Sequence, residues 1–213
     1  MKVQKFTFNP LQENTFVVYD EDNKGVIIDP GNYFREENTL LKSFLEEEKI
    51  ELKAILNTHA HLDHIAGVAF VKNNFNVPFY LHEKDLPTLA MADSSAEMYG
   101  LDEFISAPQP DVLLKEKQIL HFGKLSFEVL FAPGHAPGHV VFYNKENHLL
   151  FNGDVLFQGS FGRTDLPGGD MATLKKSITE TLFTLPEETI VCCGHGPETN
   201  IGLEKKNNPI FNY

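Results

Sequence analysis

Short apolar runs punctuated by turn residues open the chain. KVQKFTF, NTFVVYD and KGVIIDP are rich in β-branched and aromatic residues, which predicts three short strands. EENTLLKSFLEEEKI then places Leu40, Leu41, Phe44 and Leu45 at helical spacing, with acidic residues at its start where the helix dipole favours them. LKAILNT reads as a buried strand, and HIAGVAFVKNNF resumes a helical period. VPFYLHE reads as a strand, and EKDLPTLAMADSSAEMYG as helix and loop. QILHFGKLSFEVLFAPG is a hairpin turned at Phe122-Gly123-Lys124, and HVVFYNKENHLLFNGD a second with a polar turn near Asn144 to Asn147. DMATLKKSITETLFTLP has the pattern of an amphipathic helix, ETIVCCG that of a last strand, and ETNIGLEKKNNPIFNY that of a short polar tail.

Strands with helices interspersed, twice in one chain, predict an α/β fold: two β-layers, each backed by helices. No fixed-period repeat occurs, and no Gly/Ser/Pro-rich stretch is long enough to be a linker, so residues 1–213 are expected to form a single domain. A hydrophobic fraction of 42% over 213 residues is enough for a sizeable core. No apolar run reaches the roughly 18 residues of a membrane span, and MKVQKFTFNP lacks the apolar centre of a secretory signal. The expected compartment is the cytoplasm, with no membrane partner. A net charge of −12 argues against nucleic-acid binding, which needs Lys and Arg for phosphate contacts. Cys192 and Cys193 are adjacent, a spacing that strains a disulfide ring, so both are expected as buried strand thiols. Oligomeric state leaves no mark in the sequence.

Five polar motifs gather around the ends of apolar runs: THAHLDH (58–64), APGHAPGH (132–139), FNGD (151–154), GRTD (162–165) and CGHGP (193–197). Loops at strand ends are where rigid scaffolds hold reactive groups, and glycines beside His135, Asp154 and His195 permit close backbone approach. His59, His61, Asp63, His64, His135, Asp154 and His195 are then candidate metal ligands, five imidazoles and two carboxylates. A single zinc takes about four ligands. Seven groups plus a water suit two divalent ions about 3.5–4 Å apart that share a carboxylate and a hydroxide. Zinc is the first expectation, with iron and manganese accepted by the same donors.

The ordered set THAHLDH, PGH, GD and GHG resembles the metallo-β-lactamase superfamily over nearly the whole chain. Within it, NGDVLFQGSFGRTDLPGGD and GHGPETNIGLEKKNNP look like the short, single-domain branch of the glyoxalase II-type hydrolases. The resemblance implies a four-layer αβ/βα sandwich with the metals at one edge between the sheets. It implies that His59, His61 and His135 hold the first metal, that Asp63, His64 and His195 hold the second, and that Asp154 bridges. A cysteine replaces that aspartate in typical zinc β-lactamases, which argues against antibiotic hydrolysis. The C-terminal helical domain that supplies much of the glutathione pocket in two-domain glyoxalase II enzymes has no counterpart in these residues, so the resemblance carries the reaction type better than the substrate.

The expected reaction is attack of a metal-bridging hydroxide on the carbonyl of a small-molecule substrate, with Asp63 orienting or deprotonating the water. No spare His or Asp stands ready as general acid. A thiolate, whose conjugate acid has a pKa of about 8.5, leaves with little protonation. Thioesters of the hydroxyacylglutathione type are thus favoured, with other esters and lactones as further candidates. Arg163 either orients substrate, Asp154 or Asp63, or pairs with Asp165 to shape its loop. His139 is a candidate to support a ligand from behind. His82, His121 and His148 read as structural or exposed, and Lys205 and Lys206 as solvated. A competing reading keeps the family and changes the reaction. His59, His135 and Asp154 form the two-His-one-carboxylate set of non-haem iron oxygenases, and persulfide dioxygenases of the superfamily share the GRTD match. A non-enzymatic metal-binding module is a third class, but such degenerate members lose ligands and none is missing here.

Overall fold

The computed structural model describes all 213 residues. In its first half, β1 (Lys2–Phe8), β2 (Glu13–Tyr19) and β3 (Lys24–Ile28) are followed by α1 (Arg35–Glu47) and β4 (Glu51–Leu56). Then come α2 (Leu62–Ile65), α3 (Val68–Phe75), β5 (Phe79–His82), α4 (Leu86–Ala90), α5 (Ala92–Tyr99) and β6 (Val112–Leu114). The second half holds β7 (Ile119–Phe122), β8 (Leu125–Phe131), β9 (Val140–Asn144), β10 (Leu149–Gly153), a small β11–β12 hairpin (Leu156–Phe157, Ser160–Phe161) and α6 (Met171–Lys176). It ends with β13 (Ile190–Cys193), β14 (Thr199–Asn200) and α7 (Ile201–Asn207).

The strands form two six-stranded mixed sheets, ordered β1-β2-β3-β4-β5-β6 and β14-β13-β10-β9-β8-β7. β3 through β6 run parallel, as do β10 and β13; the remaining pairs are antiparallel. Successive side chains of a strand point to opposite faces, and both faces are apolar here. Phe16, Val18, Val26, Ile28, Ala54 and Leu56 meet Phe127, Val129, Val140, Phe142 and Phe151 between the sheets. Phe16 and Phe151 make an edge-to-face contact with ring centroids 5.4 Å apart. The alternate residues Val17, Tyr19, Ile27 and Ile55 face outward to Leu41 and Leu45 of α1 and Val68 and Val71 of α3. Val141, Tyr143, Leu150 and Val191 face Leu174 of α6 and Ile201 of α7 on the far side. Three apolar interfaces between four layers make the expected αβ/βα sandwich.

Several local expectations differ in detail. The helical pattern after His64 is two short helices, with Gly67 at the break because a side chain there would strike Asn32 and the Pro30 carbonyl. The helix at Met171 loosens into a π-type turn at Ser177–Thr181 and a 3-10 turn at Leu182–Thr184. The tail is ordered: Asn200 caps α7 by accepting from the Leu203 amide, and Glu204 is buried, accepting from Thr199 Oγ1 (2.6 Å) and Asn208 Nδ2 (2.7 Å).

Cys192 faces the inter-sheet core and Cys193 the outer one, both as free thiols. Burial raises both thiols, Cys193 to about 12. Because the thiolate is the reactive form, neither cysteine is expected to react with a thiol reagent in the native protein, while both react after denaturation. Time-resolved labelling followed by mass spectrometry checks this; native modification within minutes would contradict the packing.

Candidate metal centre

Each candidate ligand sits just beyond a strand end at one edge of the sandwich. His59 and His61 lie in the loop after β4, and Asp63 and His64 in the first turn of α2. His135 lies between β8 and β9, Asp154 directly after β10, and His195 after β13. All seven therefore meet where both sheets deliver their chain ends. Gly153 and Gly194 allow the close approach. Gly153 is left-handed (φ 51°), and a Cβ on either would collide with Thr58, His139, His64 or Asp154.

The donor atoms fall into two groups. His59, His61 and His135 each offer a nitrogen to one point, and Asp63, His64 and His195 each offer an atom to a second, with all atoms of a group within 4.8 Å of one another. Asp154 stands between them: its Oδ1 is 3.4 Å from His64 Nε2, and its Oδ2 is 3.6 Å from His135 Nε2 and 3.5 Å from His195 Nε2. His195 Nε2 also lies 3.0 Å from Asp63 Oδ2. The groups draw on both sheets. His59, His61, Asp63 and His64 come from the first half, and His135, Asp154 and His195 from the second.

Four of the five imidazoles are held by the nitrogen that faces away. Thr58 Oγ1 donates its only hydrogen to Asp29 Oδ2 (2.6 Å), so His59 Nδ1 must donate to Thr58 Oγ1 (3.0 Å), leaving Nε2 free. His64 Nδ1 donates to Asp29 Oδ2 (3.1 Å), His135 Nδ1 to the Arg163 carbonyl (2.8 Å), and His195 Nδ1 to the Gln12 carbonyl (3.2 Å). Such outer partners fix tautomer and aim in metal sites. Asp29 also meets the distance test for a group with His59 and His64. Its oxygens are already taken by the Thr58 amide, the Thr58 hydroxyl and His64, so it acts as their orienter.

The free ends are conspicuously unsatisfied. His59 Nε2, His64 Nε2 and Asp154 Oδ1 are buried with no hydrogen-bond partner, and His61 Nδ1 faces His135 Nε2 at 2.8 Å. Orphaned buried polar atoms are costly; a cation at each convergence point satisfies them together. Electrostatics agree. Burial, reinforced by neighbouring imidazoles, depresses His59 strongly and His61 to about 3, so both present neutral lone pairs. Burial opposes ionisation of Asp63 and Asp154, but the facing imidazoles, His64 first, outweigh it and hold both carboxyls low. Burial would also lower His64, yet Asp154 and Asp63 raise it well above its ordinary value.

Sequence reasoning missed most of the supporting network. Asp29 closes β3 in IIDPG, and its position at an apolar strand end was the available signal. Asp85 is fully buried and had none. Its oxygens accept the Ala60 amide, between His59 and His61, and the Gly138 amide (3.0 Å), beside His139. Burial pushes its carboxyl up to about 6 against those two bonds. Asp85→Ala would strand two buried N–H groups. The expected cost is about 2–4 kcal/mol of stability, with roughly 10–100-fold weaker metal binding. Urea unfolding and metal titration test it; a variant matching the parent in both would remove Asp85 from the network. His139 stacks on His59 (centroids 4.5 Å, 19°), and its Nε2 accepts the Asp154 amide (3.1 Å). The Arg163 guanidinium pairs bidentately with Asp165 (2.7 and 2.8 Å), and residue 163 meets the site through its carbonyl. His82, His121 and His148 lie apart from the cluster; His82 stacks on Phe131.

A four-layer sandwich carrying two three-donor groups and a carboxylate between them defines a metallo-hydrolase with a site suited to a dinuclear centre. The chain belongs to the Metallo-beta-lactamase superfamily, whose sequence profile matches residues 8–195. It is 40% identical to the probable metallo-hydrolase YqgX of Bacillus subtilis over 100% of this chain and 98% of that one. It is 38% identical to the hydroxyacylglutathione hydrolase GloC of Haemophilus influenzae over 100% and 99%. Among solved structures it resembles the BLEG-1 B3 metallo-beta-lactamase (TM-score 0.91, 40% identity, 100% of both chains). It also resembles TTHA1623 in a di-iron-bound form (0.88, 42%, 97% and 99%) and ETHE1 from Myxococcus xanthus (0.80, 25%, 98% and 84%). No helix is long and apolar enough to cross a membrane.

Proposed function

We propose that the protein hydrolyses thioesters of small molecules at a two-metal centre, the hydroxyacylglutathione type being the class that the family resemblance suggests. The observation that carries this reading is the pair of orphaned donor groups with Asp154 between them. His59, His61 and His135 would hold one ion and Asp63, His64 and His195 the other, with Asp154 placed between them. Bound there, the ions would supply an acidified water near neutral pKa and Lewis-acid polarisation of the carbonyl. Zinc is our assignment; the similarity to TTHA1623, solved in a di-iron-bound form, supports iron as the alternative. Asp63, held ionised and 3.0 Å from His195 Nε2, would be placed to orient such a water. His139 holds the Asp154 backbone, so the bridge is fixed from behind. Beyond these ligands the cavity lining includes no His, Asp or Glu to serve as general acid, which suits a leaving group that departs as a thiolate. The similarity to GloC supports the thioester assignment.

The second reading, an iron dioxygenase using His59, His135 and Asp154, is favoured by the same donors and the iron in TTHA1623. Thiol release from thioesters, S-lactoylglutathione included, followed without oxygen on metal-analysed protein, separates the two. Release under those conditions supports the hydrolase. Oxygen uptake on a persulfide with no anaerobic thiol release would replace it. Loss of β-lactam absorbance with the same metal-analysed protein tests the activity named for BLEG-1.

A further inference from the structure

The donor cluster forms the floor of a cavity of about 670 Å³, within the ordinary range for small-molecule sites. Its walls are of another character. Leu11, Met91, Met98, Tyr99, Phe157 and Phe161 line it, with Met98 and Tyr99 on the last turn of α5 and the two phenylalanines on the β11–β12 hairpin. Leu11 is 41% exposed, Tyr99 50% and Met98 82%. These side chains gather at one mouth without a protein partner to cover them, and apolar surface left open beside a reactive centre is the usual mark of a ligand groove.

Charge is equally one-sided. The lining includes no lysine, its only carboxylates are Asp63 and Asp154 on the floor, and Arg163 is its only permanent cation. That guanidinium is already engaged by both oxygens of Asp165. Glutathione at neutral pH carries two carboxylates and an ammonium group. Setting those carboxylates against the apolar walls, away from the donor cluster and with Arg163 already paired, forfeits their hydration and returns no ion pair there.

We propose that the substrates this site prefers are uncharged thioesters bearing an apolar chain or ring, which lies along the Met98–Tyr99 and Phe157–Phe161 walls while the carbonyl sits over the donor cluster. This rests on the thioesterase reading for the reaction and replaces glutathione with an apolar group for recognition. Hydrolysis consumes one water and yields a carboxylic acid and a thiol: the carbon–oxygen bond forms, the carbon–sulfur bond breaks, and sulfur leaves with its electron pair. The acid product is charged where the substrate was not, so the apolar walls also favour its departure.

Binding is measured first, because it does not require turnover. The non-hydrolysable thioethers S-hexyl-N-acetylcysteamine and S-hexylglutathione share the chain and differ in charge. Calorimetric titration of metal-loaded protein should give at least about tenfold tighter binding of the neutral member, and S-methyl-N-acetylcysteamine should bind about tenfold or more weakly than its hexyl homologue. For catalysis, kcat/KM should rise about tenfold or more from S-acetyl- to S-hexanoyl-N-acetylcysteamine and exceed that for S-lactoylglutathione. Met98→Lys places a cation on an exposed rim position with little risk to folding; it should reduce the hexanoyl advantage and improve binding of S-hexylglutathione. Equal or tighter binding of S-hexylglutathione by the parent protein, or no dependence on chain length, would overturn the proposal while leaving thioester hydrolysis intact. The expected binding order with no thioester cleaved would uphold the apolar site and remove the thioesterase reading.

Discussion

Replacing Asp154 with alanine is expected to lower kcat/KM by at least about 10³-fold, equivalent to about 4 kcal/mol of barrier, and to cost at least one bound metal per chain. The argument is geometric. Asp154 is the one carboxylate with an oxygen toward each donor group, 3.4 Å from His64 on one side and 3.6 Å from His135 on the other. Its removal leaves two sets of neighbouring imidazoles with no anion between them, so the second cation must bind against the first. Asp154→Asn separates charge from shape, because it keeps one oxygen and nearly the same volume. It should retain the first ion better than the alanine variant yet lose most turnover. Metal content by elemental analysis, beside steady-state kinetics, reads both effects. Two ions per chain with parental turnover in Asp154→Ala would sink the bridged scheme.

The second large effect is expected on stability. Stripping the metals with a chelator should lower the Tm by about 10–20 °C. Each ion present at 100 times its Kd adds about 2.7 kcal/mol to the folded state. Two ions give about 5 kcal/mol, and for a chain of this size each kcal/mol moves the Tm by roughly 2–4 °C. The direction follows from the orphaned His59 Nε2, His64 Nε2 and Asp154 Oδ1, which the ions would satisfy. His64 adds a pH signature. Asp154 and Asp63 raise it well above its ordinary value against the opposing effect of burial, so the metal-free site favours the protonated ring. Metal binding must displace that proton. Acidification therefore favours the proton, and the group formed with Asp63 and His195 should empty first as pH falls. Calorimetric scans with and without chelator, and metal content across a pH series, check both statements. An unchanged Tm after complete metal removal would contradict them.

What the chain disclosed in advance has a physical pattern. HxHxDH could be read because its donors are close in sequence, and so many of them within seven residues after an apolar strand have few other uses. The central strands could be read because β2, β3 and β4 are long enough for β-branched content to register. The supporting network could not. Asp29 meets His64 across 35 residues, Asp85 meets Gly138 across 53, and Asn14 reaches the Cys193 carbonyl across 179. Such contacts have no local period, and in sequence Asp85 resembles its exposed neighbour Glu83. β6, β11, β12 and β14 are only two or three residues long, too short for alternation to show. The tail hid α7 because that helix buries a polar hub, Glu204, in place of an apolar stripe.

The central strands are apolar on both faces, and this bears on how the chain finds its register. Where one face of a strand is wet, a slip by one residue drives oil into water, and polarity alone forbids the error. In β2 a slip exchanges Phe16 and Val18 for Val17 and Tyr19, trading one dry compartment for another. Polarity no longer proofreads the alignment there. The proofreading falls to the hydrophilic residues at the strand ends: Asn14 against the Cys193 and Gly196 carbonyls, Asp29 against Thr58, Asp154 against His139. Misaligned by one position, each would bury a polar group without a partner. The residues that build the reactive edge thus also act as the ruler against which both sheets are measured, and exchanging them for oily substitutes would trade away uniqueness of fold along with chemistry.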